Sequence, residues 1–129
     1  HRAFFAALKA NGLPADPQLS GSSYYISECI QKHLPRLLER GVTAIICSHD
    51  QLANAAMVQC QELGKKIPED LSIIGFDDLP PPLTTIRQDR PQLGKCGYYA
   101  LDSLLNGVPI GTILLHPQLI LRSSCGAGK

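Results

Sequence analysis

Polar and acidic residues follow directly after two short apolar runs of this chain. They are Ser48, His49 and Asp50 after the first run, and Asp77 and Asp78 after the second. Ligand crevices in open parallel sheets lie outside the carboxyl ends of the strands, so these residues are the first candidates for ligand contact. A carboxylate accepts hydrogen bonds from two vicinal hydroxyl groups, which suits a sugar-sized ligand.

Each of these side chains also has an ordinary structural interpretation. Asp50 precedes a helical pattern and would serve as a helix N-cap, a role that is compatible with ligand contact. Asp77 and Asp78 are residue types that favour turns. His49 fits a ligand donor, a catalytic base or a turn residue. No nucleophile motif accompanies it, which favours contact without catalysis.

Tyr24 and Tyr25 fall in a predicted loop over residues 21–25. An aromatic face at such a position stacks on a sugar or a planar base, and it equally well packs in a small satellite core. Spacing alone does not choose between the two interpretations.

Catalytic and metal sites are not indicated by the spacing of reactive residues. Cys29 lies close to His33, and Cys47 lies close to His49, but no second pair stands at zinc-site separation and no His-Glu-x-x-His motif occurs. The sequence contains no set of nucleophile, base and orienting residue. We therefore expect a binding domain that uses neither a metal nor an organic cofactor.

The composition predicts one globular domain, or part of one, in a reducing compartment. The chain has 129 residues, of which 44% are hydrophobic, and a formal charge of +1 with no long run of one sign. This charge distribution argues against a nucleic-acid surface on the chain itself. The five cysteines are widely spaced without a Cys-x-x-Cys pair, which favours the cytoplasm. No secretory signal or membrane-length apolar stretch is present, so we expect no membrane contact.

Hydrophobic periodicity predicts alternating helices and strands. Helices are expected over 2–11, 27–40, 51–63 and 91–106, and strands over 42–47, 71–74, 112–115 and 118–121, with a short edge strand around Leu19 and an extended crossover over 83–86. Pro35 predicts a kink or a break in the second helix. The first two long runs are typical of strands that are buried on both faces of a sheet. The last helix should face inward with Leu93, Cys96, Ala100, Leu101, Leu104 and Leu105. Together these elements predict an α/β fold with a parallel sheet.

Four segments, taken in order, resemble the carboxyl-terminal half of the LacI/GalR transcription regulators. They are Thr43-Ala44-Ile45-Ile46, His49-Asp50-Gln51-Leu52-Ala53, the stretch 63–78 that ends in Gly75-Phe76-Asp77-Asp78, and Pro82-Leu83-Thr84-Thr85-Ile86. The resemblance extends from about Ala3 to Arg122-Ser123-Ser124.

The resemblance implies a three-layer, parallel-sheet lobe of the periplasmic-binding-protein-like type I fold, incomplete in this chain. Residues 1–129 would be the C-terminal portion of the effector-binding domain, mostly its second lobe, with about 83–110 crossing to the first lobe and the DNA-binding headpiece absent. The implied protein is a homodimer that binds a sugar or a nucleobase-like effector and reaches operator DNA only through a helix-turn-helix headpiece.

The family pattern also implies roles for single residues. Asp77 matches the carboxylate that binds the effector's hydroxyl groups, and Tyr25 aligns near an aromatic residue that stacks on the ligand. His49 stands where the family usually has Asn before Asp50. The family's effector-binding Arg would fall just before His1, and the segment between Asp78 and Pro82 is shorter than is usual.

Three functions compete at this stage. The first is the effector-sensing domain of a cytoplasmic repressor, in which ligand binding shifts an equilibrium that changes headpiece spacing. The second is a periplasmic sugar-binding protein of a transport system, against which the unpaired cysteines argue. The third is an enzyme on a similar sheet, against which the missing catalytic set argues.

Overall fold

The computed structural model describes residues 2–80 and 83–126. The chain divides into two compact units, His1–Gly41 and Val42–Lys129. The first unit is helical, and the second is built on a four-stranded sheet. Pro82, the first residue of the Pro-Leu-Thr-Thr-Ile segment, lies outside the described residues.

The first unit contains two helices and a 3₁₀ turn. Helix α1 spans Arg2–Ala10, helix α2 spans Ile26–Glu39, and the 3₁₀ turn lies at Pro17–Leu19. Ile30, Leu34 and Leu37 form the buried side of α2. Both predicted helices are confirmed to within one residue at each end.

The segment around Leu19 does not form the predicted edge strand. The Asp16 carboxylate accepts a hydrogen bond from the backbone N–H of Gln18 at 2.8 Å, and a proline stands at the start of the turn. A proline there has the φ that a helical turn needs, and a short acidic side chain competes for backbone donors. The local turn therefore forms instead of a strand.

Pro35 does not break α2, which continues from Ile26 to Glu39 with the proline inside it. The proline lacks the N–H that would bond to the carbonyl of Gln31, and both residues are exposed. Because water can satisfy that carbonyl, the helix tolerates the missing bond. The predicted break, which would have made Pro35 a first-turn residue, is wrong.

The second unit is organised around a mainly parallel sheet with the strand order β1-β2-β3-β4. The strands are β1 (Ala44–Ile46), β2 (Ser72–Phe76), β3 (Thr84–Arg87) and β4 (Gln118–Ile120). Strands β1, β2 and β3 are parallel, with Ile46 opposite Ile74 and Gly75 opposite Thr85. Strand β4 is antiparallel to β3. The predicted α/β class is confirmed, with one antiparallel strand that the alternation of elements did not indicate.

Helix α3 (Asp50–Glu62) packs on β2. Its buried side carries the small residues Ala53, Ala56 and Cys60, which allow close approach to the sheet. Burial raises the pKa of the Cys60 thiol, although Lys65 opposes the shift. The thiol therefore stays protonated at neutral pH and packs as a small apolar group.

Three strand predictions for the second unit are wrong. Strand β1 is not buried on both faces, since Ile46 is 62% exposed. The segment 83–86 was expected as a crossover, but Thr84 and Thr85 belong to β3 and are buried in the sheet. Residues 112–115 form no strand. A short apolar run shows that a strand is favoured, but it does not show which layers cover that strand.

Helix α4 (Arg90–Leu105) begins and ends as predicted but does not face inward. Asp89 caps it, Pro91 lies in its first turn, and Gly107 follows it with a φ of +71°. None of its residues is buried, and four of its leucines are between 54% and 78% exposed, namely Leu93, Leu101, Leu104 and Leu105. The spacing identified an apolar face correctly, but spacing carries no information about a covering partner. The crossing of 83–110 to a first lobe stays a prediction. No helix in the described ranges is long and apolar enough to cross a membrane.

Candidate functional site

The carboxyl ends of β1 and β2 lie side by side at one edge of the sheet. The two strands are parallel and paired through Ile46 and Ile74, and the N–H of Cys47 bonds to the carbonyl of Ile74 at 2.8 Å. His49 and Asp50 follow β1 at the start of α3, and the aspartate pair follows β2. The structure therefore brings the two predicted polar segments to the same edge.

Residues 77–79, which follow β2 and are called the acidic turn below, form a bend with an uncommon backbone. Asp77 and Asp78 have φ values of +110° and +56°. Residues other than glycine rarely adopt such φ values, so the surrounding contacts must hold this backbone in place. The N–H of Asp77 bonds to the carbonyl of Ile86 at 2.9 Å, and the N–H of Asp78 bonds to Oγ1 of Thr85 at 3.3 Å. Asp77 thus lies at a bend, as the turn interpretation expects, and Asp78 follows it in an irregular segment.

The Asp77 carboxylate is half-buried and only weakly engaged. Its Oδ1 lies 3.5 Å from Nε2 of Gln88, at the limit of a hydrogen bond. Its Oδ2 has no hydrogen-bond partner among the described residues. The Arg90 guanidinium bonds to the main-chain carbonyl of Asp77 and not to the carboxylate. The carboxylate therefore keeps capacity to accept hydrogen bonds from a ligand.

The Asp78 carboxylate has a different environment, because two cations bond to it. Nη2 of Arg122 lies 2.6 Å from its Oδ1, and Nε of Arg87 lies 2.5 Å from its Oδ2. The hydrogen bonds from Arg122, and then from Arg87, lower the pKa of Asp78. This carboxylate ties β3 to the segment that follows β4.

Asp50 is not the predicted helix N-cap. The N-cap of α3 is His49, whose side chain makes no capping bond, and Asp50 is the first residue inside the helix. The Asp50 side chain is fully buried, with Oδ1 accepting from Oγ1 of Thr85 at 2.7 Å and Oδ2 accepting from the N–H of Leu79 at 2.6 Å. Two interior donors thus replace the helix amides as its partners. With both oxygens occupied and no exposed surface, Asp50 is poorly placed for the expected effector contact.

Gly75 provides the space that the Asp50 carboxylate occupies. A Cβ atom at position 75 would lie 2.0 Å from Oδ1 of Asp50 and 2.7 Å from a methyl carbon of Leu83. No side chain fits there without displacing one of them. The glycine of the Gly-Phe-Asp-Asp motif is therefore required by a close approach.

His49 is half-buried at the same edge of the sheet. Its Nδ1 lies 3.5 Å from Oγ of Ser48, at the limit of a hydrogen bond. The imidazole therefore keeps donor and acceptor capacity that a ligand can use.

Tyr25 belongs to the first unit, where it immediately precedes α2. It is 65% exposed, and its ring packs edge-on against that of Tyr24 with a centroid separation of 5.0 Å. The loop prediction is confirmed, and the satellite-core alternative is wrong because both rings are exposed.

Two cavities of the second unit differ in their relation to these residues. The smaller, of about 110 Å³, is lined by Phe76 and Gln88. Phe76 precedes Asp77 in sequence, and Nε2 of Gln88 lies 3.5 Å from the Asp77 carboxylate. The larger is an open groove of about 650 Å³ that includes Lys65 and Lys66, which precede β2 and so lie at the opposite end of the strand. The groove is the larger of these two cavities, but the acidic turn and His49, which are the candidate ligand contacts, lie at the other end of the strands.

Sequence reasoning missed the residues that hold the acidic turn. The sequence places Thr85 only in an extended crossover, and it assigns no contact to Gln88 or Arg122. A threonine in a predicted extended segment is at most a weak signal for a hydrogen-bonded network. No local pattern pairs Arg122 with Asp78.

No group of three or more His, Cys, Asp or Glu residues in the described ranges is arranged to hold a metal ion. The cysteines are free thiols: Cys29, Cys47, Cys60, Cys96 and Cys125.

Residues 1–125 match the family model of the periplasmic binding protein-like domain. The chain belongs to this family. The relatives of the chain confirm its resemblance to the effector-binding domain of LacI/GalR regulators. The HTH-type transcriptional repressor CytR of Escherichia coli K12 is 36% identical over 96% of the chain, which spans only 39% of that protein.

Two solved structures have the same fold as this periplasmic binding protein-like domain. A sugar-binding transcriptional regulator of the LacI family from Escherichia coli is 26% identical with a TM-score of 0.76, covering 92% of this chain and 46% of its own. The lac repressor dimer bound to operator and the anti-inducer ONPF is 34% identical with a TM-score of 0.63, covering 70% of this chain and 35% of its own. The relatives are transcription regulators, and the chain spans less than half of each of them.

Proposed function

We propose that this domain senses a sugar or a similar polyhydroxylated molecule on behalf of a LacI-type repressor. The observation that carries the proposal is the Asp77 carboxylate, which lies at the carboxyl end of β2 with one oxygen unpartnered among the described residues. A carboxylate at such an edge accepts hydrogen bonds from two adjacent hydroxyl groups of a ligand. His49 adds a neighbouring donor and acceptor. The sugar-binding LacI-type regulator of the same fold supports this ligand class.

The whole protein would act as a homodimer in the cytoplasm and bind operator DNA through a helix-turn-helix headpiece. The operator-bound lac repressor dimer and the HTH-type repressor CytR support this proposal. An effector that binds one conformation of the sensing domain more tightly shifts the population towards it, and the headpiece spacing changes accordingly. These named regulators favour this function over the transport alternative.

The decisive experiment replaces Asp77 by Asn in the full-length gene product. Asn keeps the shape but converts a charge-assisted contact into a neutral one, so effector binding should weaken by about 1.5 to 3 kcal/mol. Calorimetry against D-ribose, D-galactose, cellobiose and adenosine measures the change, with titration of operator release alongside it.

Asp70→Asn is the matched control. Asp70 is an exposed aspartate of the same unit that accepts a backbone bond from Lys66 at 2.8 Å. It precedes β2, whereas Asp77 follows it. We expect wild-type binding from this variant. Wild-type binding by Asp77→Asn as well would refute the assignment of the ligand carboxylate.

Tyr25 is a separate proposed contact, supported by its exposed ring. An exposed tyrosine offers an aromatic face on which a sugar or base can stack. We expect Tyr25→Leu to weaken binding of the same compounds by about 0.5 to 1.5 kcal/mol, with Tyr25→Phe close to wild type. Equal affinities for the Leu and Phe variants would contradict a stacking role.

A further inference from the structure

Asp50 connects three parts of the second unit through one buried carboxylate. It lies at the first position of α3, its Oδ2 accepts from the N–H of Leu79, and its Oδ1 accepts from the hydroxyl of Thr85 on β3. The Thr85 hydroxyl oxygen in turn accepts from the N–H of Asp78 at 3.3 Å. Two consecutive amides of the acidic turn therefore depend on Asp50, one directly and one through Thr85.

This arrangement compensates for the unfavourable backbone of the turn. Asp77 and Asp78 have positive φ values, and a turn of this kind persists only when its surroundings over-determine it. The amide of Asp77, in contrast, bonds to the main chain of β3. The amides of Asp78 and Leu79 bond to side chains, so these bonds depend on which residues stand at positions 50 and 85.

We infer that Asp50 is a positioning residue that orients the Asp77 carboxylate towards the effector, an inference that rests on the proposed function. Asp50 itself cannot touch a ligand in this structure, because it is fully buried and both of its oxygens have partners. Its influence passes through the backbone of residues 78 and 79. Gly75 belongs to the same network, since it leaves room for the Asp50 carboxylate.

Variants at positions 50 and 85 remove single bonds of this network. Asp50→Asn replaces one acceptor oxygen by an N–H₂ group, so the Leu79 amide and the Thr85 hydroxyl can no longer each donate to its own oxygen. Thr85→Val removes the hydroxyl but keeps the β-branched shape that suits a strand. Thr85→Ser keeps the hydroxyl and serves as its conservative partner, and Asp70→Asn controls for loss of a charge elsewhere in the unit.

Hydrogen exchange of the full-length gene product, followed by mass spectrometry, tests the tether without any ligand. The amides of Asp78 and Leu79 should exchange at least about tenfold faster in Asp50→Asn, and the amide of Asp78 should do so in Thr85→Val, whereas Thr85→Ser and Asp70→Asn should exchange like wild type. If Asp50→Asn does not fold, the Val and Ser variants at position 85 carry the same test. Unchanged exchange of the Asp78 and Leu79 amides in the folded variants would overturn the inference while leaving the proposed function intact.

A double-mutant cycle tests whether Asp50 acts through Asp77. The probe is whichever of D-ribose, D-galactose, cellobiose and adenosine binds wild type most tightly. Asp50→Asn should weaken its binding about tenfold in the wild-type background and less than about threefold in the Asp77→Asn background. Equal losses in both backgrounds would overturn the positioning role alone. Wild-type affinity in Asp77→Asn would overturn the proposed site, and with it the inference.

Discussion

Asp50, Asp77 and Asp78 share one chemistry, but their surroundings give them three different tasks. Asp50 is buried between two neutral donors, Asp78 is held by two guanidinium groups, and Asp77 keeps an unpartnered oxygen among the described residues. Hydrogen-bond capacity that the protein leaves unused is what a polar ligand needs. At the scale of single residues, the proposed site is defined by which carboxylate the fold leaves available.

Gly75→Ala should destabilise the second unit. The added methyl would lie 2.0 Å from Oδ1 of Asp50, and overpacking of this kind typically costs about 1 to 3 kcal/mol. Gly94→Ala is the matched control, since a Cβ at Gly94 has no neighbour within 4 Å and lies in α4. Alanine favours a helix over glycine, so the control should be neutral or slightly stabilising. Denaturant unfolding measures the stability of both variants. Equal midpoints for the two would contradict the close approach between position 75 and the Asp50 carboxylate.

The lowered pKa of Asp78 predicts a loss of stability in acid. Because the folded state lowers this pKa below its ordinary value of 3.8, the contribution is complete above that value and is lost as pH falls through the folded value. Denaturant midpoints of wild type and Asp78→Asn should therefore differ at pH 6 and converge towards pH 2.5. Arg122→Gln, which removes the largest cause of the shift, should show an intermediate pH dependence. Parallel curves for wild type and Asp78→Asn would exclude this linkage.

At the scale of elements, the ends of the helices show how local chemistry defines boundaries. Helix α4 has a side-chain cap, whereas the N-cap of α3 is a histidine that makes no capping bond. The first residue of α3 instead turns its carboxylate into the interior of the unit. The start of α3 is thus held by tertiary contacts, and the start of α4 is held by a cap.

Asp89→Ala should destabilise the start of α4. The Asp89 carboxylate accepts from the N–H of Gln92 at 2.9 Å, and loss of such a cap costs about 0.5 to 2 kcal/mol. Asp89→Ser keeps a capping oxygen and should stay within a few tenths of a kcal/mol of wild type. Helicity by circular dichroism and unfolding midpoints measure both variants. An Ala variant as stable as the Ser variant would show that the cap contributes nothing.

At the scale of the whole molecule, large apolar side chains are exposed on α4, on the segment that follows it and on β1. The exposed leucines of α4 and the exposed Ile46 of β1 are large apolar groups in contact with solvent. Strand β1 is also the first strand in the sheet order, so one of its edges has no neighbour in the described sheet. Exposed apolar patches and open strand edges both favour association.

The 129-residue chain should therefore self-associate in solution. Light scattering should show an average mass that rises with concentration, and Leu101→Lys with Leu105→Lys should reduce it. Gln92→Lys with Asn106→Lys adds lysines at exposed positions of the same helix region without removing apolar side chains, and it should retain the association. A monomeric wild-type chain at high concentration would contradict this expectation.

The sequence by itself determined the helices and the edge at which the proposed site lies. Periodic apolar residues, prolines and terminal glycines act within one turn of the chain, and α1, α2 and α3 form close to where those signals placed them. The positions of His49 and Asp77 after strands followed from the same local patterns. The family resemblance added Asp77 as the ligand carboxylate, and that role stays a prediction.

Only the tertiary structure decided which partner each polar group meets. Asp78 pairs with Arg122 across 44 positions, and Asp50 meets Leu79 across 29. Such contacts depend on the order and direction of strands, which no local periodicity encodes. For the same reason, the sequence did not predict the antiparallel β4, the exposure of Ile46 or the uncovered leucines of α4. Burial is a property of neighbours that are distant in sequence, and local patterns describe only the residues that are close in it.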